Sequence, residues 1–181
     1  MPLRVLLAAI LISMTGCGVV SLHPLVMPND NDEVFEPSLV GTWAGVQEPG
    51  DTHEAKFVVA HTNVGYSIKP DTDDGEYTMR LLKVGDRYLM DVDCPSNGPA
   101  LPVHIFFKLR WEKDRAWVSA MDSQWLMDQI EAKGQLRHDV LTEDFNRIVL
   151  TASPADLHRI FLPYAADDRS FEEEGELRRI Q

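Results

Sequence analysis

The sequence predicts a mainly β domain, an antiparallel up-and-down barrel or strongly curved sheet of about eight strands, with two short helices. Three observations carry that expectation. From residue 39 onward, short half-alternating segments rich in Val, Ile, Thr and aromatic residues are broken by Gly, Asp and Pro. Asp74-Gly75 and Gly85-Asp86 suit tight hairpins, because a primed two-residue turn needs positive φ, which Gly and Asp tolerate. Helix signals are confined to two places, after Ser123 and after Ser153.

Taken in order, strands are expected near 40–47, 54–60, 64–69, 76–84, 86–93, 103–111, 115–121 and 145–151. The tight turns imply antiparallel pairing of neighbours. Cys94-Pro95-Ser96-Asn97-Gly98-Pro99 is a longer loop, since Pro has no N–H to give to a sheet interior. Between the seventh and eighth strands, Ser123 is placed to cap a helix over 124–133 that gathers Leu126, Met127 and Ile130 on one side. After the eighth strand, Ser153 supplies an N-cap, Pro154 the first helical position and Asp156 an acid in the first turn. Leu157, Ile160 and Phe161 form the buried stripe of that helix, and Pro163 ends it. Phe171-Glu172-Glu173-Glu174-Gly175-Glu176 reads as a solvated end, followed by Leu177-Arg178-Arg179-Ile180, which is apolar enough to dock.

The first residues have a different character. Arg4 precedes the apolar run Val5–Ile12, and the small or neutral residues Ser13-Met14-Thr15-Gly16 lead to Cys17. Positive, apolar, then small is the order of an export signal. The run falls well short of the ~20 residues that cross a bilayer, so a removed signal is expected rather than a membrane span. Met14-Thr15-Gly16-Cys17 resembles the lipobox of bacterial lipoproteins, with Met in place of the commoner Leu. That resemblance implies cleavage before Cys17, diacylglycerol on its thiol, and an extracytoplasmic protein attached to the cell envelope. Asp after the lipidated Cys commonly marks inner-membrane retention in such proteins. Gly18 stands there instead, so the periplasmic face of the outer membrane is the expected address. The organisation expected is therefore a signal over 1–16, a lipidated Cys and proline-bearing tether over 17–38, and one β-rich domain over 39–181. Leu22, Leu25, Val34 and Phe35 argue that part of the tether docks.

Cleavage leaves 165 residues, one domain's worth of chain, with 16 basic against 29 acidic residues and a net charge of −13. So acidic a surface repels phosphate backbones and excludes nucleic acid as the expected partner. With Cys17 acylated, Cys94 has no partner in the chain, and the fold cannot depend on an internal disulfide. A buried small hydrophobe is the expected role of Cys94, because nothing basic sits beside it to stabilise a thiolate.

Pro37-Ser38-Leu39-Val40-Gly41-Thr42-Trp43 resembles the opening of a lipocalin-type barrel, in which a short turn leads to Gly-x-Trp on the first strand. The resemblance implies that Trp43 plugs the closed end and that an Arg near the last strand packs over it. Arg147, in Phe145-Asn146-Arg147-Ile148-Val149-Leu150, is the match for that Arg. Ser21-Leu22-His23-Pro24-Leu25, the Gly-Thr-Trp strand and Ile148–Ser153 together also resemble a group of uncharacterised bacterial lipoproteins, a likeness that carries no activity with it.

Signals of chemistry are weak. The chain lacks Gly-x-Ser-x-Gly and Ser-x-x-Lys, and His23, His53, His61, His104, His138 and His158 show no metal-ligand spacing. Asp71-Thr72-Asp73-Asp74-Gly75-Glu76 is similar to a calcium loop, but Gly75 takes a ligand position and Leu82 stands where the bidentate Glu belongs. A solvated hairpin tip fits better. Asp91 and Asp93 share one face of a strand, an arrangement open to paired-carboxylate chemistry but commoner on an outer sheet face. Trp111, Trp117 and Trp125 suit a cavity lining or a core. No catalytic, metal or cofactor site is expected. The expected function is a lipid-anchored binding or scaffolding protein that holds an apolar ligand or an envelope partner. The alternatives are a solidly packed domain acting through protein contacts and, less favoured, an envelope hydrolase.

Overall fold

A computed structural model describes residues 18–27, 33–45, 55–71, 75–95, 102–133, 136–141, 147–172 and 174–180. The expected signal over 1–16 and Cys17 lie outside these residues. The strands are β1 (Val19–Ser21), β2 (Gly41–Gly45), β3 (Lys56–Thr62), β4 (Gly65–Pro70), β5 (Tyr77–Val84), β6 (Arg87–Cys94), β7 (Val103–Glu112), β8 (Arg115–Ala120), β9 (His138–Leu141), β10 (Arg147–Leu150) and β11 (Gly175–Arg179). Two helices, α1 (Ser123–Lys133) and α2 (Pro154–Phe161), complete the set.

Period-two alternation builds the wall. Phe57 and Val59 of β3, Tyr66 and Ile68 of β4, and Met79 and Leu81 of β5 are buried inward, with Val58, Lys69 and Lys83 exposed between or beside them. Eight strands pair in the ring β2-β3-β4-β5-β6-β7-β8-β11 and back to β2, every pairing antiparallel. This is a closed up-and-down barrel, small enough for its own side chains to fill.

The eighth wall strand differs from the expected one. Within the expected segment 145–151, Arg147–Leu150 form a strand, β10, but outside the ring, where it pairs with β9 and runs parallel to β1, which in turn flanks β7. The slot between β2 and β8 is taken by β11, which joins Gly175 and Glu176, from the run expected to be solvated, to Leu177, Arg178 and Arg179, from the segment expected to dock. Alternation explains the choice: Leu177 turns inward and is buried, while Glu176 and Arg178 turn outward. Both helices therefore precede the last wall strand.

The wall from β5 to β8 is buried on both faces. One core fills the barrel, with Trp43, Tyr66, Leu81 and Phe107 among its members. A second lies outside the wall, where Leu82, Leu89 and Phe106 meet Leu25, Leu126, Leu150 and Leu157 from the covering elements. Two-sided burial accounts for the unbroken apolar run Ile105-Phe106-Phe107. In α2 the expected cap is present, with Ser153 Oγ accepting from Asp156 N at 3.3 Å, and Leu157, Ile160 and Phe161 are buried. In α1 the cap is shifted by one residue: Asp122 Oδ1, not Ser123, accepts from Trp125 N at 2.7 Å.

Residues 18–38 dock along most of their described length. Val19, Val20 and Ser21 are buried in β1, and Leu25 and Val26 are fully covered. Farther on, Glu33 bridges to Leu82 and Val34 N donates to Leu81 O, filling the edge of β5 beyond its pairing with β4.

Candidate functional site

One end of the barrel is shut. At that end the wall strands join through tight turns at 63–64, 85–86 and 113–114. Gly85 takes φ +62°, as the first position of such a turn requires. Residues 33–39 cross this end and finish in a 3-10 turn, Pro37–Leu39. They are tied down by Glu33 to Arg80 at 2.6 Å, by Glu36 Oε1, which accepts from Tyr88 OH at 3.0 Å, and by Glu36 N, which donates to Tyr66 OH. Burial pushes the Tyr66 phenol up to about 12, so it remains a neutral hydroxyl. Beneath this lid Trp43 is buried to 2% exposure, and its Nε1 donates to Leu39 O at 2.9 Å. The guanidinium of Arg179 lies over the indole, 4.9 Å from the ring centre, with Nη1 donating to Val40 O at 3.0 Å.

The arginine over the Trp43 indole is Arg179. Arg147 lies on β10, outside the ring, whereas Arg179 lies on β11, hydrogen-bonded beside β2 with Arg179 opposite Trp43 in the register. Closure by β11 brings Arg179 to the indole.

Above the plug the interior is not completely filled. A cavity of about 80 Å3 runs from Leu39 and Trp43 at the shut end, past Phe57, Met79 and Met90, to Tyr77 at the start of β5. At the far end β2, β4, β6 and β8 finish, at Gly45, Pro70, Cys94 and Ala120. Apart from the ring of Trp43, the tryptophans singled out in the sequence do not line this space. Trp111 packs on Tyr88, Trp117 lies outside under Arg110, and Trp125 meets Tyr164. Cys94 is half-buried beside the barrel core, and its thiol is pushed up to about 12 by burial and then by the charges of Asp93 and Asp91.

Asp91 and Asp93 do share the outer face of β6, but Asp91 has a structural partner set of its own. It is 3% exposed; its Oδ2 accepts from Leu25 N at 2.7 Å and Val26 N at 3.0 Å, and its Oδ1 accepts from His104 Nδ1 at 2.8 Å. His158 Nε2 donates to Leu25 O on the same segment. Burial disfavours the imidazolium of His104, but the hydrogen bond and charge of Asp91, with Asp93 beside it, outweigh that and raise its pKa above the ordinary value. Ser21 stands opposite His104 in the β1–β7 register, giving the composition of a Ser-His-Asp triad. Its Oγ instead donates to His23 O at 2.7 Å and is wholly buried, so no substrate can reach it as a nucleophile. His104 and His158 are thus fasteners of the N-terminal segment, a role that spacing along the sequence does not signal.

Of the other candidates, His61 stacks on Phe35 and His138 bonds Leu136 O. His53 and the tip 72–74 of the acidic run lie outside the described residues, and Leu82 is fully buried in the outer core. Among the described residues, no three His, Cys, Asp or Glu side chains gather as a metal site, and no helix is long and apolar enough to cross a membrane. Comparison of the chain with known protein families, with curated proteins and with solved structures finds no match.

Proposed function

We propose that the protein is a lipid-anchored envelope protein whose barrel holds the slender end of an apolar ligand. The cavity supports this reading most directly. Protein interiors rarely keep voids larger than a water molecule, whereas this barrel keeps an apolar space of about 80 Å3. A larger side chain at Ala116, which is buried on its wall, would fill it in a purely structural barrel. The space is well below the ~300 Å3 of a drug-sized pocket, so it suits a hydrocarbon terminus rather than a whole lipid. Its lining offers no charge, and any polar head would remain at the end opposite Trp43. The lipobox at Met14–Cys17 supports acylation at Cys17, and Gly18 supports the outer membrane as the address.

Titration with an environment-sensitive apolar dye, followed by competition with lipid extracted from the source envelope, tests the reading. Saturable binding at micromolar concentrations is expected, with a loss of at least about tenfold, or 1.4 kcal/mol, in Ala116→Leu and no loss of thermal stability. Absence of saturable binding, and of any co-purified small molecule in the mass spectrum, would leave the protein-contact reading in its place.

A further inference from the structure

Resting on the lipid-anchor reading, we infer that the β1–β10–β9 flank is the surface that faces the bilayer, so the barrel lies on its side wall rather than standing on either end. The carbonyl of Gly18 accepts from Ile148 N at 3.0 Å, which fixes the residue after Cys17 to β10. Consecutive Cα atoms are ~3.8 Å apart, so the acylated residue lies within one step of that ladder.

The segment that follows gives the anchor no slack. Leu22 N donates to Leu150 O at 2.9 Å, and Asp91 grips the amides of Leu25 and Val26 at 2.7 and 3.0 Å. His158 holds the Leu25 carbonyl from α2. A protein tethered through a free linker samples many orientations, whereas acyl chains attached at the end of a clamped strand impose one. The side imposed is the one carrying β1.

The neighbouring edge carries an exposed apolar residue, Val140. Val19, Ile148 and Val140 are partners across β1, β10 and β9, so Val140 is two strand spacings, ~9 to 10 Å, from Val19. Val140 is 41% exposed on the outermost strand of the sheet, so a label there reports on this flank. Alternation turns its neighbour Asp139 to the opposite face. On the far side of the barrel, β3 is four places round the ring from β7, the wall strand that β1 flanks, and its Val58 is 47% exposed. Val58 thus provides an equally exposed valine pointing away from the anchor.

The full chain, processed in cells and reconstituted in vesicles of phosphatidylethanolamine and phosphatidylglycerol, carries either Val140→Cys or Val58→Cys, each labelled with an environment-sensitive fluorophore. Cys94→Ala in both removes the remaining thiol. Doxyl-labelled lipid should quench the label at 140 and leave the label at 58 bright, and a flexible Gly-Ser linker inserted between Cys17 and Gly18 should abolish the difference. Mass measurement of the N-terminal peptide reads acylation independently. Acylation with equal quenching at the two positions, or stronger quenching at 58, overturns the orientation alone. An N-terminal peptide without acyl mass overturns the anchor reading and the orientation with it.

Discussion

The guanidinium of Arg179 lies 4.9 Å from the centre of the Trp43 indole, joining the last wall strand to the first. The contact is a cation over an aromatic face in a site closed by residues 33–39, the setting in which such pairs contribute most. Trp43→Ala removes a side chain that is 2% exposed and should destabilise by roughly 3 to 5 kcal/mol. Arg179→Ala should cost less, and a double-mutant cycle between the two should give a coupling of about 0.5 to 2 kcal/mol in denaturant unfolding. Arg147→Ala should show no coupling to Trp43, since β10 lies outside the ring. Coupling confined to Arg147 would reverse the assignment.

Trp43 was legible because Gly-x-Trp after a short turn is a local pattern, and the residues around it decide its strand. Its partner was not. Segment 145–151 has the stronger strand composition, whereas β11 follows a run of acids that reads as solvated. Which of the two closes the ring depends on the slot between β2 and β8, a long-range relation that no window of sequence contains. The outer core was hidden for a similar reason. Leu82, Leu89 and Phe106 interrupt the alternation of their strands, and this becomes intelligible only when β1, β10 and the helices are seen to cover them. The first seven wall strands, the hairpin at Gly85 and the capping of α2 needed only neighbours along the chain.

Asp91 fastens the N-terminal segment to the barrel wall. Asp91→Ala leaves the amides of Leu25 and Val26 without their acceptor in a buried setting, at roughly 1 to 3 kcal/mol for each unsatisfied group. Asp91→Asn keeps an acceptor oxygen and should lose distinctly less. Amide hydrogen exchange at Leu25 and Val26 should accelerate in the alanine variant before the barrel amides do. Simultaneous acceleration throughout the molecule would indicate that segment and barrel unfold as one unit.

The same cluster makes stability depend on pH. The folded pKa of His104 is raised by Asp91 and Asp93 against the effect of burial, so the charged imidazole favours the folded state. Its contribution is complete below the unfolded value of about 6.5 and is lost as pH rises through the higher folded value. Wild type should therefore lose stability across that window relative to His104→Gln, whose curve lacks this component. Chemical denaturation at a series of pH values from acid to mildly alkaline measures it, and parallel curves for the two proteins would remove His104 as the cause.

Ring closure by β11 gives the last prediction, because a docked tail and a wall strand fail in different ways when removed. β11 pairs with β2 through Gly45, Ala44 and Trp43, and with β8 through Val118, Trp117, Ala116 and Arg115. It also supplies Leu177 to the cavity wall and Arg179 to the plug. Deleting residues 174–181 would expose the backbone edges of two central strands, open the barrel along its side and leave Trp43 uncovered. A peripheral tail would instead cost a few tenths of a kcal/mol and leave the transition cooperative. The truncated protein should lose its cooperative thermal transition, bind apolar dye without saturation and aggregate through the exposed edges. Deleting Gln181 alone, which lies beyond β11, should change none of these. A truncated protein that melts cooperatively near the wild-type temperature would mean that the barrel closes without β11, and the Arg179–Trp43 contact would then be an ornament of the fold rather than its seam.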